Sequence, residues 1–342
     1  MDSTMTQVFQ IRPQQFALPL PPVPPATEHI YIGANGVEKI RTDGISVWSY
    51  PSSNSSRVTT VAVDPDGFVY FGNFDSPFKV YKLNPDGTLA WESAVTFANR
   101  VVNVAVDNTG SVYAGSWDGT LKKINGITGG TVWSHTGSST GRVPLVAIDS
   151  SNNVFCYIQS TSGPTVRAVR RVNSSTGGTI WQENFGSSLI STLTIRPNSQ
   201  QVWATVADNQ MSIRSTITGG LIGSQTAPTH NGFAFNRALT FDESNIHFMS
   251  SSFVNDFRVM RRAAPTGTDL LWARDFDAVV NSVAVDNDNF VYGITNTSNG
   301  EAIIRKMHPD DGTTVWELVR STAQRAIATD PGLPGAGFIF AS

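Results

Sequence analysis

Apolar and polar residues alternate in short runs along almost the whole chain after residue 28. Runs such as SVYAGS at 111–116 and LKKIN at 121–125 are bounded by Gly, Asp and Asn, which are residues typical of turns. Alternation with a period of two indicates strands with one buried face, and no segment shows a convincing helical period. The pattern therefore predicts an all-β protein made of short strands and tight turns.

The clearest unit of this pattern is AVDNTGSVYAGSWDGTLKKINGITGGTVWSH, residues 105–135. A turn from Asp107 to Gly110 follows the first apolar run, and a second turn lies at 117–119. A Thr-Gly-Gly turn at 128–130 precedes the last run, which ends in Trp133. Four short strands joined by three tight turns are the expected content of one β-propeller blade.

The unit recurs with a nearly constant period. A Trp near the end of the unit and an Asp in its first turn mark the repeats: Trp at 48, 91, 133, 181, 272 and 316, and Asp at 64, 107, 149, 242, 286 and 330. The Trp steps are 43, 42, 48, 91 and 44 residues, and the step of 91 is two units with one Trp lost near Ile222. Arg196 stands where the missing Asp would be. A fixed period of this size, filled with strands, indicates blades.

These units predict a single seven-bladed β-propeller with four-stranded blades over residues 29–342. The chain ends with the opening of a unit, and the partners of that opening lie near residue 29. We expect Ala326–Asp330 to join the N-terminal strands and close the ring, because closure removes unpaired sheet edges. Residues 337–342 and residues 29–34 both resemble the second strand of that closing blade, and the sequence does not decide between them.

Residues 1–28 differ from the repeats and form a separate, extended arm in this interpretation. Prolines at 13, 19, 21, 22, 24 and 25 exclude helix and central strand. The arm is nevertheless apolar, which a solvated linker would not need. We expect it to bind a partner through Val8, Phe9, Ile11, Phe16, Leu18, Leu20, Pro21 and Pro22. An arm folded back over its own propeller is the alternative.

Composition and charge restrict the function. Charged residues make up 15% of the chain and the net charge is −3, so a phosphate-backbone nucleic-acid surface is not expected. Cys156 is the only cysteine, which excludes an internal disulfide. No apolar run is long enough to insert in a membrane, and the start of the sequence shows no signal peptide. We expect synthesis in the cytoplasm of the cell that makes the protein.

The pattern A-x-D-x-x-G-x-V-Y, followed by G-T-L, K-I-N and T-G-G-T-x-x-W, resembles the repeat of PQQ-binding-like β-propellers. The resemblance covers almost all of the chain after residue 28. It implies either a quinoprotein dehydrogenase, with a calcium site, an Asp base and often a vicinal Cys pair, or a non-enzymatic scaffold like the outer-membrane assembly lipoproteins. A single Cys and the absence of an acidic cluster outside the turns indicate no cofactor and no metal here.

Most motifs that could carry chemistry have a structural explanation. Asp at the first and Gly at the fourth turn position are ordinary type I turn residues, and a Trp that recurs once per unit is expected to pack between neighbouring blades. Residues 137–141, GSSTG, match the nucleophile-elbow pattern but lie in a loop without the strand and helix that it needs. The five His show no metal-ligand spacing. We therefore predict no catalytic residues.

One register is not explained by turns. A basic residue recurs in the third strand of each unit: Lys39, Lys82, Lys123, Arg171, Arg214, Arg262 and Lys306. The favoured interpretation is that each stem covers apolar blade surface while its head pairs with a turn Asp. The other is a basic annulus that meets an acidic partner.

The expected function is a non-enzymatic structural or interaction protein. Regular blades and an apolar, proline-rich arm are typical of a phage virion component, either a capsid decoration, a tail protein or a host-attachment propeller. Residues 1–28 would hold it to other virion proteins, and the propeller would face outward toward a host glycan or protein. A PQQ-dependent enzyme and a cellular assembly scaffold are the alternatives.

Overall fold

A computed structural model describes residues 28–51, 57–137, 141–160, 166–196, 200–206, 210–226, 236–241, 247–253, 256–262, 270–278, 280–324 and 326–330. Over these residues the protein is an all-β fold of antiparallel four-stranded sheets, arranged as a β-propeller. The predicted arm and residues 337–342 lie outside the described residues.

The first sheet takes strands from both ends of the described chain. Its strand order is β28-β1-β2-β3, and the bounds are β1 (His29–Gly33), β2 (Gly36–Arg41), β3 (Ser46–Pro51) and β28 (Ala326–Thr329). β28 pairs antiparallel with β1, so that Ala326 lies opposite Gly33 and Thr329 opposite Ile30. β1 therefore occupies the second-strand position in this sheet.

The next three sheets follow the chain in order. They contain β4 (Val58–Val63), β5 (Val69–Asn73), β6 (Val80–Leu83) and β7 (Leu89–Glu92); β8 (Val101–Val106), β9 (Val112–Ser116), β10 (Thr120–Ile124) and β11 (Thr131–Thr136); and β12 (Gly141–Ile148), β13 (Val154–Ser160), β14 (Arg167–Val172) and β15 (Thr179–Asn184).

The remaining sheets repeat the same meander. They contain β16 (Ile190–Ile195), β17 (Gln201–Val206), β18 (Gln210–Ser215) and β19 (Leu221–Thr226); β20 (Asn236–Phe241), β21 (His247–Phe253), β22 (Asp256–Arg262) and β23 (Leu270–Asp275); and β24 (Val280–Val285), β25 (Val291–Asn296), β26 (Ala302–Met307) and β27 (Thr314–Arg320).

The burial of a strand depends on its place in the sheet. Every residue of the first strands β4 and β8 is buried, whereas the fourth strand β11 alternates between exposed and half-buried positions. This explains why the first run of each unit is mostly apolar, with small polar residues such as Thr60 and Asn103, and the last run mixes Trp with polar residues. The first strands contact one another in succession, from β4 through β8, β12, β16, β20 and β24 to β28, and β28 contacts β4.

Candidate functional site

The turn Asp residues hold the loop between the first and second strands. Asp64 Oδ1 accepts hydrogen bonds from the backbone amides of Asp66 and Phe68, at 3.1 and 2.9 Å. Its Oδ2 accepts the Tyr70 hydroxyl at 2.8 Å. Asp107, Asp286 and Asp330 accept the hydroxyls of Tyr113, Tyr292 and Tyr31 in the same way. The recurring Asp is thus a turn residue that also anchors the Tyr of the next strand.

Burial, opposed by these hydrogen bonds, raises the pKa of the Asp64 and Asp286 carboxyls above the usual range. Each of them lies close to a basic side chain from the third strand of its sheet, and Lys306 Nζ is 3.6 Å from Asp286 Oδ2. These carboxylates are accordingly partnered within the fold.

The basic register lies in the third strands, as the spacing predicted, with a shift in two sheets. Lys39, Lys82, Lys123, Arg171 and Lys306 lie opposite the Trp of the fourth strand. The sheets that contain β22 and β18 differ. Arg261 lies opposite Trp272 in the first of them, and Ile213 occupies the matching place in β18. Arg262 and Arg214 therefore lie one residue beyond the common position, on the far side of a bulge that the other sheets also have there.

The heads of these basic side chains reach the next sheet. Lys82 Nζ donates to the Gly126 carbonyl at 2.9 Å, and the Trp91 indole donates to the same oxygen at 3.0 Å. Lys123 and Trp133 share the Ser174 carbonyl, Lys306 and Trp316 share that of Thr42, and Arg261 and Trp272 share that of Pro309. We call this shared acceptor the carbonyl clamp. The favoured interpretation placed each head on a turn Asp, whereas these heads donate to a backbone carbonyl of the next sheet, and Lys306 also lies near Asp286. The basic annulus stays a prediction.

Each Trp also covers a glycine of the neighbouring sheet. A Cβ built on Gly177 would lie 2.9 Å from the Trp133 ring, and one on Gly87 would lie 2.7 Å from the Trp48 ring. Trp91, Trp181 and Trp272 meet Gly129, Gly219 and Gly312 in the same way, and the Trp316 ring lies 3.8 Å from the Cβ position of Gly44. Trp therefore packs between sheets, as its recurrence predicted, and a Gly in the loop between the third and fourth strands of the next sheet is the site on which it packs.

A second arrangement was not predicted from the sequence. The Arg57 guanidinium carbon lies 3.9 Å from the Phe74 ring centroid, and that of Arg100 lies 3.7 Å from it. Arg100 is also 4.3 Å from the Trp117 ring, and Arg142 is 3.8 Å from it. Arginines and aromatic rings thus alternate across three consecutive sheets, and we call these five residues the arginine–aromatic stack.

A cavity of about 240 Å³ adjoins the stack. It is lined by Phe74, Trp117 and Arg142 from the stack, and by residues from the first strands of five sheets, β4, β8, β12, β16 and β24. Gln159 and Asn281 add side-chain amides, and Leu145 and Ile190 add apolar surface. No carboxylate belongs to the described residues that line it. The cavity therefore combines positive charge, amides and an apolar wall.

The described residues do not fit a quinone–calcium site. They contain no group of three or more His, Cys, Asp or Glu that could hold a metal ion, and a calcium-dependent quinone needs such oxygen ligands. Cys156 is buried, and burial raises the pKa of its thiol to about 12, which keeps it protonated and unreactive. Ser138, Ser139 and Thr140 of the nucleophile-elbow match lie outside the described residues.

The arm residues Val8, Phe9, Ile11, Phe16, Leu18, Leu20, Pro21 and Pro22 lie outside the described part of the chain, so partner binding by the arm stays a prediction. Among the described residues, no helix is long and apolar enough to cross a membrane.

Residues 76–318 match the family model described as outer membrane protein assembly factor BamB. The chain belongs to this family. This agrees with the PQQ-like repeat predicted from the sequence. No curated protein matches the chain significantly. Among solved structures, a chain from the crystal structure of a mitotic checkpoint complex is similar, with 13% identity, 99% of each chain covered and a TM-score of 0.64. At that identity the likeness concerns the fold alone.

The BamB-family repeat explains why the stack escaped sequence analysis. Arg57, Arg100 and Arg142 each stand seven residues before a turn Asp, and Phe74 and Trp117 each stand ten residues after one. The repeat pattern marks neither position, because the Arg comes before its first residue and the aromatic residue lies between its V-Y and G-T-L segments. Comparison of these positions among the units would have shown Arg in three consecutive units.

Proposed function

We propose that the chain is a non-enzymatic binding propeller whose seven blades form a closed ring. Two observations support closure: the first strands contact one another in an unbroken succession that returns to β4, and β28 pairs with β1. The clamp also connects the last sheet to the first, because Trp316 and Lys306 donate to Thr42. A ring without open edges is a rigid platform that resists edge-to-edge association.

The observation that carries the binding role is the use of the repeated residues. Where the structure describes them, the repeated Asp, Tyr, Trp and basic residues contact the scaffold itself. The part of the surface that departs from the repeat is therefore where a specific partner would bind. The family is described as an assembly factor of the outer membrane, which supports a role in assembly for this chain.

In this proposal the protein is a virion component, held to other virion proteins by residues 1–28. The support is chemical: the segment has prolines that lower the entropy lost on fixing it, and apolar side chains that gain from burial against a partner. The propeller then faces outward as capsid decoration, tail protein or host-attachment module.

The test is removal of the arm. The Glu28 carbonyl accepts a hydrogen bond from the Thr42 amide, so the deletion is best made at residues 1–27. We expect the shortened chain to keep the melting temperature of the full chain and to be lost from purified particles in a density gradient. A control with Phe9, Ile11 and Phe16 replaced by Ser should also be lost. Retention of the shortened chain on particles would refute anchoring by the arm, and a large fall in melting temperature would indicate an arm folded back on the propeller.

The family match favours a second candidate, a cellular assembly scaffold. The same gradient separates the two, because a scaffold fractionates with cells and their membranes and leaves the particle band empty. Neighbouring genes for capsid and tail proteins would favour the virion.

A further inference from the structure

The arginine–aromatic stack breaks the internal symmetry of the propeller. Arg occurs seven residues before the turn position in three consecutive units, whereas Leu189 and Ala323 take that place in other units. Residues needed only to hold a blade would recur in every unit, as the Trp and the turn Asp do in most. The local concentration of Arg therefore indicates a role that belongs to one sector of the molecule.

The positive charge in this sector is only partly neutralised. Arg57 Nη2 pairs with Asp75 Oδ1 at 3.2 Å. Arg100 and Arg142 make no ion pair with the described part of the chain. Burial and the neighbouring Arg57 and Arg142 lower the pKa of Arg100, and its Nε is covered from solvent without a hydrogen-bond partner. Three stacked guanidinium groups with one carboxylate leave an excess of positive charge beside the cavity.

The cavity wall adds groups that would suit hydroxyl groups of a ligand. Gln159 and Asn281, whose side chains end in amides, line it. Leu145 and Ile190 offer an apolar surface for C–H groups. At about 240 Å³, the cavity is smaller than the pockets that hold drug-sized ligands, so it suits a single small ring.

We propose that this cavity binds one sugar residue that carries a carboxylate. Arg142 donates to the carboxylate, since guanidinium and carboxylate groups match as paired donors and acceptors. Arg100 lies between the Phe74 and Trp117 rings, holds both rings in position and adds its positive charge near the site. Gln159 and Asn281 bind the ring hydroxyls. This inference rests on the proposed binding role and is independent of the virion location.

Isothermal titration of the full-length protein tests the proposal, with D-glucuronate and N-acetylneuraminate as acidic probes. D-Glucose is the neutral control matched to glucuronate, and inorganic phosphate tests for a simple anion site. We expect saturable binding of at least one acidic sugar with a stoichiometry of about one, weakened by salt, and no saturable binding of glucose. Arg142→Gln should lower the affinity at least about tenfold, since a hydrogen bond to a charged group is lost. Arg142→Lys, which keeps the charge but not the fork, should lower it less.

Arg305→Gln is the matched control, because Arg305 also lies over an aromatic ring, 4.3 Å from the Phe276 centroid, but does not line the cavity. It should leave the affinity unchanged. Equal binding of glucose, binding of phosphate alone, absence of binding by either acidic sugar, or equal loss in the control would each overturn the proposal. Unchanged melting temperatures verify that the variants fold. Sugar binding without particle association refutes only the virion role, and particle association without sugar binding refutes only this inference.

Discussion

In the carbonyl clamp, a Trp indole and a basic head group donate to a single oxygen of the neighbouring sheet. The Ser174 carbonyl accepts Trp133 Nε1 at 3.0 Å and Lys123 Nζ at 2.9 Å. A carbonyl has two acceptor positions, so both donors are satisfied, and the charged donor makes the stronger bond. The same two side chains lie beside the Tyr113 ring. One pair of residues thus connects the strands of its own sheet and the loop of the next.

Replacing Trp133 by Ala removes both the ring that covers Gly177 and the donor to Ser174. We expect a loss of about 3–5 kcal/mol in the free energy of unfolding, as for other large aromatic truncations in packed sites. Trp133→Phe keeps most of the ring and should cost less. Chemical denaturation measures both. A loss below about 1 kcal/mol for Trp133→Ala would show that the packing is dispensable and would reopen a ligand-binding role for this Trp.

His135 makes stability depend on pH. Its Nδ1 donates to the Gly177 carbonyl at 2.8 Å, and its Nε2 accepts from Arg170 Nη1 at 3.1 Å. Burial, together with Arg170, lowers the pKa of this imidazole, so the fold holds it neutral. The unfolded chain binds the proton first as the pH falls below the ordinary pKa of His, about 6.5, and stability is then lost.

We therefore expect the melting temperature to fall more in the wild type than in His135→Gln between about pH 7.5 and pH 5. The buried carboxyls titrate in both proteins, so the difference between them isolates His135. Equal slopes for the two proteins would contradict a pH effect of this residue.

At the scale of the element, the loop between the third and fourth strands is the surface on which the neighbouring Trp rests. Gly177 in this loop has φ +75°, a left-handed conformation that favours glycine, and a Cβ there would enter the Trp133 ring. Glycine is thus required twice, by the backbone and by the neighbouring side chain.

Gly177→Ala should destabilise more than Gly110→Ala. Gly110 has the same φ of +75°, but a Cβ there meets nothing within 4 Å. Gly110→Ala should then cost only the backbone strain, about 1 kcal/mol, and Gly177→Ala about 1–3 kcal/mol more for overpacking. Thermal or chemical denaturation of the two variants compares them, and equal losses would show that the loop yields without disturbing Trp133.

Elements also show where sequence reasoning succeeded and where it could not. Strand order, the turn Asp and the Trp between sheets followed from one repeated pattern, because each depends on residues within a single unit or on its apolar period. The carbonyl clamp joins Lys306 to Thr42, which are 264 residues apart. The stack joins residues of adjacent units at positions that the repeat pattern does not mark. Such contacts depend on how units are placed beside one another, and a period along the chain does not encode that placement.

The unit that contains β16 to β19 makes the same point. It lacks the terminal Trp, and Gly223 stands in its place, opposite Ile213. The same sheet carries a buried Trp203, whose ring lies 5.5 Å from that of Phe241 in the next sheet. Contact between these sheets is therefore kept by an aromatic residue from the second strand.

At the scale of the whole molecule, β28 should hold the proposed ring together. Deletion of residues 323–342 removes β28, leaves β1 with an unpaired edge and exposes the apolar residues Ile30 and Ile32. We expect this chain to aggregate or to melt well below the wild type. Deletion of residues 331–342 keeps β28 and is the control. A monomeric truncated chain with an unchanged melting temperature would show that the ring does not depend on this strand.

The pairing of β28 with β1 has a consequence for biosynthesis. A ribosome makes β1, β2 and β3 first and β28 last among the described strands, so the sheet begun earliest is completed latest. During translation the later sheets can form in order as they emerge. Until β28 leaves the exit tunnel, β1 therefore has an unpaired edge. We expect chaperones to bind this edge during that time.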